Sequence, residues 1–267
     1  MTNSSAPVRV GIGGWSFPPW RGTFYPEGLA QKRELEFASR ALTAIEINAT
    51  YHGSQKPASF ANWAETAPDG FVFAVKGSRY VTNRKVLAEA GESIQRFLNQ
   101  GILELGDKLG PILWQFMATK QFDAEDFAAF LRLLPEKHEG VALRHAVQVR
   151  HASFAVPEFV AMARDAHVAI VFADSASYPA IADVTADFVY ARLEAAEEAE
   201  PEGYAPAALD RWATAARTWA TGGVPEGLPY VDAAPPPVEP RETFVFCING
   251  AKVRAPAAAQ ALIARLG

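Results

Sequence analysis

Eight short runs rich in β-branched and aromatic residues recur along the chain, separated by stretches with helical periodicity. They are Val8–Gly14, Thr43–Thr50, Phe71–Gly77, Pro111–Met117, Ala146–His151, Val168–Asp174, Asp187–Leu193 and Thr243–Asn249. Most are nearly continuous in hydrophobicity, as strands of a parallel sheet covered on both faces must be. Between them, Phe60, Trp63, Ala64 and Ala67 share one helical face, and so do Phe127, Phe130, Leu131 and Leu134. Asp123 stands as N-cap of the second of these, and Pro135 stops it. Ser93 precedes a third stripe through Ile94, Phe97, Leu98, Ile102 and Leu105. Leu209, Trp212, Ala216 and Trp219 form a fourth, opened near Pro206 and closed by Gly222–Gly223, and Pro256–Leu266 reads as a final helix. Eight strands alternating with helices over 267 residues predict an α/β fold, a single TIM-like (β/α)8 barrel domain spanning 1–267.

Two intervals depart from the regular pattern. Ser175–Ala186 is too short for a helix and two turns, so a reduced or missing sixth helix is expected. Glu194–Glu242 makes a long strand 7–8 connection, with an acidic stretch (EAAEEAEPEG) read as a solvated loop and a proline-rich stretch read as a stiff surface connection.

Twenty-five Lys and Arg against 30 Asp and Glu leave a net charge of −5, which argues against a general grip on extended nucleic acid or anionic membrane. A local basic pocket remains allowed. Cys247 is the lone cysteine, excluding an internal disulfide or a CxxC site and suiting a reducing compartment. Met1–Pro7 does not resemble a signal peptide and no apolar run reaches 18 residues, so a cytoplasmic protein is expected. The oligomeric state is left open.

Barrels of this kind carry function at the carboxyl ends of their strands. Those ends present Trp15 after strand one, Glu46 and Asn48 on strand two, Lys76 on strand three and Gln115 on strand four. Strand five gives Gln148, Arg150 and His151, strand six Asp174, strand seven Tyr190 and Arg192, and strand eight Asn249. Residues at i and i+2 share a face, so Glu46 with Asn48, Gln148 with Arg150 and Tyr190 with Arg192 point the same way, while Ile45 and Ile47 point outward. Polar groups on the inward face need partners or a ligand. Two readings follow: a functional pocket, or a buried ion-pair network of Lys76, Arg150 and Glu46 that only fixes the fold. The aromatic loop Trp15–Pro26 likewise either walls a pocket or packs over the first helix, and Tyr51 and His52 follow strand two in the same manner.

With five histidines, no HExxH and three cations on the rim, no metal is expected; with no GxGxxG or Walker A motif, no cofactor is expected either. The kit suits a metal-independent lyase, isomerase or hydrolase acting on a small anionic carboxylate or phosphate. Arg150, Arg192 and Lys76 would clamp the anion, with Glu46 as base and His151 or Lys76 as acid. Asn48, Gln115 and Asn249 would orient the substrate, and Trp15, Tyr51 and Asp174 would complete its contacts. The competing reading is a non-catalytic binder of a phosphate- or nucleotide-containing ligand.

The segments GIGGWSFPPWRGTFYP, TAIEINATY, WAETAPDGFVFAVKG, LGPILWQF, VQVRHASF and FCING, taken in this order, resemble the YecE-like family, domain of unknown function 72. That resemblance implies a TIM-like barrel with a polar pocket at the strand ends, and no established activity. It also implies departures: Gln148 where the family usually has Glu, Phe154 in place of a nearby Trp, LEAAEEAE in place of a glycine-containing loop, and Asn249–Gly250 in place of Asn-Asn.

Overall fold

The computed structural model describes residues 5–267. Met1–Ser4, which belong to the stretch read for a leader and to the 1–267 span, lie outside the described residues. Eight parallel strands form the barrel: β1 Val8–Gly13, β2 Ala44–Ile47, β3 Val72–Lys76, β4 Leu109–Gln115, β5 His145–Gln148, β6 in two pieces (Ala169–Ile170 and Phe172–Asp174), β7 Phe188–Leu193 and β8 Glu242–Cys247. Neighbours pair in chain order, and β8 returns to β1. The first piece of β6 pairs with β5 and the second with β7, so the chain itself closes the ring at Val171, whose N–H donates to Val147 O at 2.9 Å. This is the TIM-like barrel that the alternation of runs predicts.

Side-chain parity divides the interior as the sequence implies. Ile45, Ile47, Phe73, Val75, Val147 and Val245 face outward into the shell beneath the helices. Ala44, Ala74, Leu113, Ala146, Phe244 and Phe246 fill the lower barrel. Small residues on β2, β3 and β5 face large aromatics on β7 and β8, so the layers interlock. Below them, Glu242 joins Arg9 (2.9 Å) and Arg144 (2.6 Å) at the amino-end mouth.

The expected helices form at Pro57–Thr66, Gly91–Leu98, Ala124–Leu133, Pro206–Ala220 and Ala255–Leu266, joined by Glu34–Ala41 and Pro157–Asp165. Asp123 caps its helix, its Oδ1 accepting the Asp126 N–H at 3.0 Å. The stripe expected to run from Ile94 to Leu105 is broken. Gly101 adopts φ 105°, and Ile102–Lys108 is a separate 3-10 segment. A side chain at Gly101 would also strike Pro57.

No helix stands between Asp174 and Phe188. The proline-rich segment lies over this region instead: Asp183 accepts the N–H groups of Val231 (2.8 Å) and Asp232 (2.9 Å), Ala182 N–H donates to Pro229 O, and Arg164 pairs with Asp232 at 2.6 Å. Among the described residues, no helix is long and apolar enough to cross a membrane.

Candidate functional site

Inward polar side chains at the carboxyl ends of the strands meet in one buried network. Arg192 of β7 is its centre, 1% exposed. Its Nε donates to Glu46 Oε2 and its Nη2 to Glu46 Oε1, both at 3.2 Å. Its Nη1 donates to Glu194 Oε1 at 2.7 Å and to Gln148 Oε1 at 2.5 Å. Tyr190 O–H donates to Glu46 Oε2 at 2.7 Å, Gln115 to Gln148 Oε1 at 2.6 Å, and Gln148 Nε2 to Glu194 Oε1 at 3.1 Å. Burial opposes the Arg192 charge, yet the two carboxylates outweigh it and its pKa rises. Burial and the adjacent Glu46 carboxylate hold the Tyr190 phenol protonated, well above its ordinary range.

Above this floor opens a cavity of about 580 Å³. Trp15, Asn48, Lys76, Gln115, Arg150, Arg192 and Asn249 line it, together with His52, Lys252 and the Gly13–Gly14 backbone. Gly13 has no Cβ because Asn48 Nδ2 sits within 2.9 Å of where one would be. Trp15 is braced edge-on against Trp63, with ring centroids 5.2 Å apart. Trp20 and Tyr25 are buried against the first helix through Phe24 and Phe37, so the aromatic loop both packs over that helix and walls the cavity.

Two of the lining cations differ from Arg192. Arg150 has no carboxylate within 4 Å among the described residues, and its Nε is buried without a partner. Its guanidinium lies 4.4 Å over the Tyr178 ring. Burial pushes its pKa down, with Glu194 opposing. Lys76 Nζ rests 4.6 Å over the Tyr51 ring. Burial pushes the Lys76 amine down to about 8, Glu46 and Glu194 opposing and Arg192 and Arg150 assisting. Cys247 also borders the cavity, but burial raises its thiol to about 12, which disfavours the reactive thiolate.

Of the residues singled out by sequence, Trp15, Asn48, Lys76, Gln115, Arg150, Arg192 and Asn249 thus share one cavity wall. Glu46 lies beneath it, fully buried on Arg192. Tyr51 touches the site through Lys76, and its O–H donates to Asn83. Two expectations of placement are not met. Asp174 shares the outward face with Phe172 and bonds Tyr204 O–H at 3.2 Å, outside the cavity lining. His151 is tied to Ser153 (2.8 Å to Oγ), bracing the loop, and does not line the cavity either. Conversely, Glu194, which the acidic run places in a solvated loop, is only 8% exposed. Sequence reasoning did not single out Lys252, which stands 4.5 Å over the Phe17 ring. Among the described residues, no three His, Cys, Asp or Glu side chains gather as a metal site.

With this geometry established, comparison with known proteins places the chain. The family model described as "Protein of unknown function DUF72" matches residues 9–267. The chain belongs to the DUF72 family. The YecE-like resemblance noted from the motifs is this same family. A DUF72 family protein from Thermotoga maritima is similar in structure, with TM-score 0.68 and 25% identity over 96% of each chain. One from Enterococcus faecalis has TM-score 0.71 at 16% identity, covering 97% of this chain and 95% of that one. The structure named SacUVDE has TM-score 0.57 at 11% identity, covering 97% and 99%, a likeness of fold alone. No curated protein matches the sequence.

Proposed function

We propose that the cavity binds a small anionic metabolite and that Lys76 moves a proton on it, making this DUF72 member a metal-independent isomerase or lyase. The carrying observation is the pair of open cations: Arg150, without a carboxylate partner among the described residues, beside Lys76 with its amine lowered to about 8. A lysine near that value is a usable base at neutral pH, and Arg150 would stabilise the enolate formed by proton loss next to a carbonyl. Hydrolysis is less well supported, because both nearby carboxylates are already held by Arg192 and neither is free to activate water. In this reading Glu46 is the counter-ion of Arg192 rather than the base, and Asn48, Gln115 and Asn249 orient the substrate.

The test is deuterium exchange, followed by NMR, into a panel of small 2-oxo and 3-oxo acids with wild type and Lys76→Met. Wild type should wash in deuterium, faster as pH rises through about 8 and Lys76 loses its proton; the variant should not. Exchange by neither, with acids still bound calorimetrically, would replace catalysis with the binding-only reading. Absence of binding to any acid or to phosphate would end both.

A further inference from the structure

Beyond the cavity, the loops after β2, β3 and β4 form a surface of one sign. Residues 48–59, 77–88 and 116–122 contain five Lys and Arg and no Asp or Glu, in a chain whose net charge is −5. Elsewhere Arg9, Arg33, Arg96, Arg144 and Arg164 each hold a carboxylate. On this rim Lys120 pairs with Asp126, while Arg79, Arg84 and Lys85 have no ion partner among the described residues. Arg84 is fixed by its bonds to Tyr80 O and Ser93 Oγ, both 2.9 Å. Tyr80 is 61% exposed, with the Arg79 guanidinium 5.4 Å over its ring.

Two recesses of about 410 and 390 Å³ run along this surface and share Asn83 and Arg84. Asn83 accepts from the Tyr51 O–H, and Tyr51 lies under Lys76 at the cavity wall. The basic path is therefore continuous with the mouth of the cavity. On the opposite side, Glu197, Glu198, Glu200 and Glu202 follow β7 and repel a polyanion.

We propose that this strip is a docking surface for single-stranded nucleic acid, distinct from the small-anion cavity. Spaced cations follow a phosphodiester backbone, and an exposed aromatic with amides beside it offers stacking and hydrogen bonding to bases, which an acidic peptide cannot use. A duplex is disfavoured because it hides its base faces and would bring more phosphate toward the acidic side.

The test is fluorescence anisotropy with a labelled oligothymidylate of about ten nucleotides at about 50 mM salt. The same-length duplex and a poly-glutamate peptide serve as comparison probes. Wild type should prefer the single strand, with affinity falling as salt rises by a log–log slope of roughly −0.7 per phosphate contacted. Arg79→Glu/Lys85→Glu should weaken binding at least about tenfold, and Tyr80→Ala by about fivefold or more for the oligonucleotide alone. Arg150→Met should leave oligonucleotide binding unchanged, which separates this surface from the cavity. No binding by wild type, equal affinity for the duplex, or indifference to the charge reversal would overturn the proposal. Poly-glutamate binding as tight as the oligonucleotide, unaffected by Tyr80→Ala, would overturn it in favour of an acidic-peptide surface.

Discussion

Arg192 and Arg150 stand on the same rim with only β6 between their strands, yet their surroundings are opposite. Arg192 is enclosed by Glu46, Glu194 and Gln148, and every guanidinium nitrogen has an acceptor. Arg150 borders a cavity with an aromatic ring on one face and no carboxylate beside it. A saturated arginine fixes structure; an open one is a cost to folding that a ligand can relieve. One barrel end therefore contains a completed ion network as floor and an incomplete one as wall, and substitutions can separate the two.

The largest effect should come from the floor. Arg192→Met strands two buried carboxylates, and urea denaturation should show a loss of about 3–5 kcal/mol. Adding Glu46→Gln and Glu194→Gln should recover part of it; no recovery would mean that Arg192 acts through packing instead. For the wall, Arg150→Met should cost about 1.5–3 kcal/mol in binding phosphate or small carboxylates by calorimetry, with little change in melting temperature. Unfolding of that variant would erase the distinction between the two arginines.

Lys76 sharpens the same contrast through pH. Its folded value of about 8 lies below the ordinary 10.5, so the unfolded chain holds its proton more tightly. Wild-type stability should therefore rise between about pH 8 and 10.5, while anion affinity falls over the window in which Lys76 loses charge. Lys76→Met should lack that rise and be more stable than wild type at pH 7 by roughly 1–3 kcal/mol. The smallest effect concerns Gln148. Placing a carboxylate there, Gln148→Glu, sets it against Glu194 and should cost about 1–2 kcal/mol, which Gln148→Glu/Glu194→Gln should relieve.

The barrel was legible because strand runs and helical stripes obey different periods, and parity alone placed Glu46, Gln148 and Arg192 inside. The same rule extends two steps further along the strands. Glu194 follows Tyr190 and Arg192 at i+2, but an acidic run masks it as solvated loop. Asp174 follows Phe172 at i+2 and so belongs to the outer face. Lys252 stands at the start of a 3-10 turn, where no period reports orientation. Whether Arg150 or Arg192 holds the carboxylates is set by three-dimensional spacing across β2, β5 and β7, which a linear sequence does not display.

The contact of Asp183 with Val231 and Asp232 has a consequence for the order of assembly. During synthesis β6 emerges with no helix of its own after it: Phe172 on its outer face waits for Trp212 and Trp219 of Pro206–Ala220, and the following loop at Asp183 waits about fifty residues for Val231 and Asp232. Until then its outer face is exposed hydrophobic surface on a nascent chain, the state in which mispairing and capture by chaperones occur. Shortening the proline-rich connection should accordingly lower the yield of folded protein from the ribosome before it alters the barrel once formed.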